Sequence, residues 1–198
     1  MKTDPGQTIV YEISEAGFGD AIEIRQIVRL LELHDDTVRT NLDDNDAGMA
    51  SSFVRNSLLA RLVLLVSRAY ARSKDTDLHI RRAICLLRDD AVRDEIETWG
   101  PPGSLANALV LWSRLRSDHR LPLIVHFRDK FTAHLGQPDP SISLPQNRQV
   151  FDFAMETSNM MSALAIATGA KPEGVDTWDG EIEQAAAAFW SPWRSGAK

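Results

Sequence analysis

The sequence predicts an all-α protein, an antiparallel bundle of four to five main helices with an N-terminal arm and a short C-terminal helical tail. Apolar residues recur at helical spacing along most of the chain, and capping residues or Gly/Pro-rich stretches separate the periodic segments. No internal repeat or low-complexity segment interrupts this pattern. We expect residues 1–19 to form the arm, 20–170 the helical domain and 171–198 the tail.

The composition is that of an ordinary soluble domain. The chain has 198 residues, 43% of them hydrophobic and 25% charged, which is enough to bury one sizeable core. The single cysteine, Cys85, excludes an internal disulfide and a multi-cysteine metal site, so we expect a reducing, cytoplasmic location. Cys85 lies in an apolar run, where we expect a buried small hydrophobic side chain.

The charge distribution limits the kinds of binding partner that we expect. A net charge of −6 argues against non-specific binding to DNA or other long nucleic acids. Arg61 and Arg68 interrupt the most hydrophobic run, so we expect no membrane span. Residues 114–134 nevertheless hold five Lys/Arg and three histidines against two acids, which favours a small anionic target.

For the first half of the chain we expect an arm and three helices. Thr8-Ile9-Val10-Tyr11 leans towards a strand or extended segment, and Asp20 can cap a first helix running to about Leu42. A second helix, 52–73, is apolar almost all round, and we expect it to be the most buried. A third spans 80–99, with Asp89-Asp90 as a candidate break.

The second half contains three further helices and the tail. Because proline is tolerated in the first turn of a helix, Pro122 divides one helix at 104–118 from another at 122–135; a single kinked helix is the alternative. A Pro-rich connector at 137–146 leads to a helix at 147–168. A short helix spans 180–190, and we expect the tail tryptophans to dock on this chain's core or on a neighbouring subunit.

The stretch from His126 to Gly136 concentrates the groups able to do chemistry. On a helix, Arg128 and His134 lie about 120° apart and flank an apolar face, so they are not stacked on each other. A second copy of the same helix across a two-fold axis would close a cleft over this face. We therefore expect a homodimer.

Arginine and histidine are the side chains that phosphate chemistry needs. Arginine grips a phosphate with a fork of donors, and histidine can accept a proton from a ribose 2′-hydroxyl or give one to a leaving oxygen. RNA supplies its own nucleophile, so such cleavage requires no metal. An ordinary solvated helix face with a structural histidine is the competing interpretation.

The segment Arg128-Asp129-Lys130-Phe131-Thr132-Ala133-His134 resembles the signature of the HEPN superfamily, in the version of its abortive-infection (AbiU-like) branch. The resemblance covers about residues 20–170. It implies a helical, usually dimeric HEPN-like fold and, in many members, metal-independent endoribonuclease activity linked to phage defence or toxin–antitoxin systems, where an antitoxin protein would be a partner. It also implies that Arg128 binds the scissile phosphate, that His134 acts as acid or base, and that Asp129 orients the arginine.

Other residues around the motif are candidates for contacts with RNA or phosphate: Arg116, His119, Arg120, His126 and Lys130. We expect no metal and no cofactor, because a cation lies between His126 and His134 and no third ligand is evident. His34 and His79 look like surface residues. Some members of the superfamily are non-catalytic, so a binding module for RNA, a nucleotide or a protein partner is the alternative function.

Overall fold

The computed structural model describes residues 5–45, 47–72, 77–129 and 144–194. Within these ranges the chain forms nine α-helices and no strand. In chain order the helices are α1 Pro5–Leu33, α2 Asp36–Asp44, α3 Gly48–Tyr70, α4 Ile80–Leu86, α5 Asp90–Ile96, α6 Ser104–Arg116, α7 Arg120–Phe127, α8 Asn147–Ala167 and α9 Asp179–Arg194, with a short 3-10 helix, Val175–Trp178, before α9. The all-α prediction is confirmed, and five of the described helices have thirteen residues or more.

The N-terminal segment is helical, which corrects the predicted extended arm. Helix α1 begins at Pro5, and proline suits the first position of a helix. Val10 and Ile13 lie fully buried in the main core, so their packing outweighs the strand preference of residues 8–11. Gly17 also lies within α1, and a Cβ there would lie 2.7 Å from Cδ1 of Ile80, the first residue of α4.

The first helix also ends earlier than expected, at Leu33 instead of about Leu42. Asp35 starts a separate helix, α2, by accepting a hydrogen bond from the backbone N–H of Val38 at 3.0 Å. The third predicted helix divides at its candidate break, since Asp89 Oδ1 accepts from Ala91 N at 2.9 Å and so caps α5. Both divisions follow from local capping by an aspartate.

The most buried helix is α8, and this corrects the prediction for α3. Helix α8 packs between α1 and α6, and its large side chains are fully buried: Phe153, Met160, Met161 and Leu164. In α3, by contrast, Phe53 is 74% exposed, and Met49 and Leu64 are exposed too. Among the described helices, α3 alone is long and apolar enough to cross a membrane by length and composition, and 22% of its apolar window is buried. Cys85 is exposed, not buried.

The C-terminal helix docks on the chain's own core. Trp190 is buried with Leu33, Val38 and Leu42 of α1 and α2, and its indole N–H donates to the carbonyl of Leu30 at 2.9 Å. Arg25 of α1, only 6% exposed, donates to Asp179 at the start of α9 at 2.5 Å and to Ser158 of α8 at 3.1 Å. A partly buried ion pair and a hydrogen bond thus join α1 to α8 and α9, which lie more than 100 residues later in the chain.

The split at Pro122 is confirmed. Helix α6 ends at Arg116, and α7 begins at Arg120, which puts Pro122 in the first turn of α7. Arg128 and Asp129 continue α7 in the wider π-helical winding. The predicted extension to residue 135 lies outside the described residues.

Candidate functional site

Helix α7 carries Arg128 and is anchored to the bundle at its first turn. Ile124 is fully buried between α3 and α8, and Leu121 and Phe127 pack against the same core. Arg120 donates to Asp118 Oδ2 at 2.7 Å and to Glu156 Oε1 at 2.9 Å, with its guanidinium 5.2 Å from the ring centre of Phe153. These contacts fix the direction in which α7 delivers Arg128.

The Arg128 guanidinium is bound by the adjacent carboxylate. Its Nε and Nη2 donate to Asp129 Oδ1 at 2.8 and 2.5 Å. The side chain of Arg128 is 24% exposed, so it remains within reach of a ligand. The pair has the geometry in which a carboxylate orients an arginine while leaving the cation accessible.

Arg128 lines a cleft of about 380 Å³, hereafter the Arg128 cleft. Its walls combine cations, an imidazole and an apolar floor: Arg61, Leu64, Leu65, Arg68, Ala71, His79 and Arg128. Arg61 pairs with Glu23 at 2.6 and 2.8 Å, and Arg68 pairs with Asp20 at 2.5 Å. Three guanidinium groups in one cleft favour an anionic ligand.

Arg61 and Glu23 form an ion pair with two hydrogen bonds. The hydrogen bond from Arg61 lowers the pKa of the Glu23 carboxyl, although partial burial acts in the opposite direction. The same hydrogen bond raises the pKa of Arg61. Both groups therefore stay charged at neutral pH, and the cleft keeps its cation.

Sequence reasoning missed His79, as it missed Arg61 and Arg68, as members of the Arg128 cleft. His79 precedes α4 with an extended backbone, and its Nδ1 is buried without a hydrogen-bond partner in the described part of the chain. In the sequence His79 lies close to Arg81 and Arg82, a pattern that is typical of an exposed basic surface. No local pattern could have linked it to Arg128, because only the packing of α3 and α4 brings them to one cleft.

The other predicted residues that the structure describes do not line the Arg128 cleft. Arg116 and His119 are exposed, and Arg120 is held in the ion pairs described above. Nε2 of His126 is buried and has no partner among the residues described. Lys130 and His134 lie outside the described residues. Within the described ranges, no three His, Cys, Asp or Glu side chains are grouped so that they could hold a metal ion.

A second cavity of about 410 Å³ lies between α1 and the segment leading to the 3-10 helix. Its walls are mainly apolar and aromatic, including Phe18, Ile22 and Trp178. Its lysine, Lys171, lies 3.4 Å from Glu15 and 5.8 Å from the ring centre of Phe18. The described residues that line this cavity include neither arginine nor histidine, so the Arg128 cleft is the better candidate for phosphate chemistry.

The comparisons with known proteins agree with the sequence motif. The family model of AbiU2, a HEPN family, matches residues 11–189, which is most of the chain and includes α1 from Tyr11 and most of α9. No curated protein and no solved structure matches the chain. The protein therefore belongs to the AbiU2 family of HEPN proteins.

Proposed function

We propose that this protein is a metal-independent endoribonuclease of HEPN type that acts as a homodimer in the cytoplasm, in phage defence or as the toxin of a toxin–antitoxin pair. The observation that carries the proposal is the Arg128 cleft, where Arg128, oriented by Asp129, shares an apolar-floored cavity with two further arginines and His79. This arrangement suits a phosphodiester, because guanidinium groups bind its oxygens and the apolar floor can hold a base.

In the proposed reaction, His134 takes the proton of a ribose 2′-hydroxyl, and the 2′-oxygen attacks the phosphorus. The bond to the 5′-oxygen breaks, and that oxygen receives a proton from a second imidazole. The products are a 2′,3′-cyclic phosphate and a 5′-hydroxyl. Arg128 neutralises the charge that develops on the phosphate oxygens. His134 lies outside the described residues, so its role rests on the sequence motif.

The second imidazole is the reason for a dimer. Each chain supplies one His134, and two proton transfers call for two such groups. The exposed apolar side chains of α3, namely Met49, Phe53 and Leu64, support a contact with a second copy, because monomers rarely leave such a face uncovered. Leu64 also lines the Arg128 cleft, so a two-fold contact along α3 would bring two clefts together.

The test is cleavage of single-stranded RNA by purified protein in the presence of EDTA. We expect Arg128→Ala and His134→Ala each to reduce the rate by at least about 100-fold, the scale of a lost acid, base or phosphate contact. Arg148→Ala is the matched control, because Arg148 is an exposed arginine whose ion pair with Asp152 lies within α8. Wild-type rates for the Arg128 and His134 variants would refute the proposal.

A non-catalytic binding module is the second candidate. The observation that favours it is the close Arg128–Asp129 pair, which leaves a cationic cleft able to bind an RNA, nucleotide or protein partner without turnover. If the protein is such a module, the wild type binds RNA without cutting it. Added salt and the Arg128→Ala substitution each lower the affinity for RNA.

A further inference from the structure

The unpaired nitrogen of His79 is the feature of the Arg128 cleft that the proposed reaction does not use. His79 Nδ1 is buried and has no hydrogen-bond partner among the described residues. Buried polar atoms in native proteins are almost always paired, so such an atom calls for a partner, which it does not have among the described residues. An imidazole nitrogen can meet that need with a phosphate oxygen or a hydroxyl group.

The position of His79 is held by the fold. It occupies the residue before α4, and its side chain makes no capping bond to that helix. The next residue, Ile80, is buried against Gly17 of α1, where even a Cβ would lie 2.7 Å from Ile80 Cδ1. The close contact between α4 and α1 therefore keeps the ring at the wall of the cleft.

The arginines of the Arg128 cleft are paired with carboxylates and still have free donors for a ligand. The three arginines of the cleft each contact one carboxylate: Glu23, Asp20 and Asp129. In the described structure Glu23 accepts hydrogen bonds from Nε and Nη2 of Arg61, and Asp20 accepts from Nη2 of Arg68. A guanidinium group carries five N–H donors, so each arginine keeps donors that its carboxylate does not use. Both arginines can therefore bind an anion without releasing their carboxylates.

The spacing of the cations indicates more than one phosphate. Arg61 and Arg68 are seven residues apart on α3, so their Cα atoms are separated by roughly 10 Å along the helix axis. Leu64 and Leu65 lie between them and form the apolar floor. One phosphate cannot fill a cationic groove of that length, whereas neighbouring phosphates of a strand, with a base between them, can.

We propose that His79, Arg61 and Arg68 form a subsite for the RNA phosphates next to the scissile one, with His79 Nδ1 hydrogen-bonded to one of them. The inference rests on the proposed function in one respect, that RNA is the ligand of the Arg128 cleft. His79 acts here as a substrate-binding residue, and the cleft recognises an oligonucleotide in preference to a mononucleotide.

The experiment measures binding of a single-stranded RNA dodecamer by fluorescence anisotropy, in a His134→Ala background so that the RNA stays intact. We expect His79→Leu to weaken binding about tenfold, the scale of a lost hydrogen bond to a charged group. His79→Asn keeps a polar atom at the position of Nδ1 and should bind within about threefold of the parent. His79→Gln places its amide one bond further out and should bind as weakly as His79→Leu.

Arg61→Ala should also weaken binding and reduce the slope of log K against log salt concentration by about 0.7, the value for one lost phosphate contact on a single strand. Adenosine monophosphate, offered as a mononucleotide, should bind weakly and depend little on His79. Arg148→Ala is again the control, with binding equal to that of the parent.

Two results would overturn the subsite: parental affinity in His79→Leu, or equal weakening in all three His79 variants together with a lower melting temperature, which indicates a structural role. If the wild type binds the dodecamer through His79 but cuts no RNA, the subsite stands and the ribonuclease proposal fails. If the wild type cuts RNA and His79→Leu binds and cuts normally, the subsite alone fails. Absence of RNA binding by the wild type would overturn both.

Discussion

Arg120 at the start of α7 donates to Glu156 Oε1 of α8 at 2.9 Å, and the same guanidinium donates to Asp118 Oδ2 at 2.7 Å. The side chain of Arg120 is 15% exposed, and the pair therefore forms at the edge of the core, against the ring of Phe153. The hydrogen bond from Arg120 lowers the pKa of the Asp118 carboxyl to about 2. This network anchors the helix that leads to Arg128.

We expect Arg120→Met to lower the free energy of unfolding by about 1–3 kcal/mol, because it removes the cation that bridges the partly buried carboxylates of Asp118 and Glu156 and leaves Glu156 only its exposed partner Arg114. Urea denaturation followed by circular dichroism measures this. Arg148→Met, at an exposed pair, should change the value by less than about 0.5 kcal/mol. An unchanged stability together with weaker RNA binding would instead make Arg120 a ligand contact, the role that the sequence suggested for it.

The contact between His34 and Ser51 predicts a pH-dependent stability. His34 Nε2 lies 2.6 Å from Ser51 Oγ, where it joins the end of α1 to the start of α3. Burial lowers the pKa of the His34 imidazole below its ordinary value, and the nearby charges of Arg55 and Arg39 lower it further. The unfolded chain therefore binds the proton at a higher pH than the folded chain does.

It follows that the contribution of His34 is fully present above the ordinary histidine pKa of about 6.5 and decreases as the pH falls below it. We expect the melting temperature of the wild type to fall more between pH 7.5 and pH 5.5 than that of His34→Gln. His119→Gln, at an exposed imidazole, should follow the wild type. Identical pH slopes for wild type and His34→Gln would contradict the prediction.

The exposed face of α3 predicts a self-association that one charge can disrupt. Phe53 is 74% exposed, and burying its ring against a second copy would remove a large apolar surface from water. We expect Phe53→Asp to convert a dimer into a monomer in sedimentation equilibrium while leaving helicity unchanged. Val110→Asp, at an exposed apolar residue of α6, should remain dimeric. A Phe53→Asp protein with wild-type mass would place the dimer contact elsewhere or exclude it.

The parts of the fold that depend only on residues close together in the sequence could be predicted from the sequence. Pro122 marks the start of α7 and Asp89 the start of α5, because a missing N–H or a capping carboxylate acts within one turn. The extended arm was wrong for the opposite reason. The strand preference of residues 8–11 is a weak local term, and burial of Val10 and Ile13 against distant helices outweighs it.

Burial could not be predicted from apolar content alone. Helix α3 is apolar almost all round and was expected at the centre, yet Phe53 and Leu64 lie at the surface. Composition states how much apolar surface a helix has, but it does not distinguish whether the same chain or a second one covers that surface.

The sequence by itself determined the all-helical class and the family motif, and the resemblance implied that Asp129 orients Arg128, two residues that are hydrogen-bonded in the structure. Only the tertiary structure decided what surrounds that pair. Arg61, Arg68 and His79 belong to α3 and to the residue before α4, and they reach the Arg128 cleft because α7 packs on α3. Contacts between residues so far apart in the sequence follow from the packing of whole helices, which no local pattern encodes.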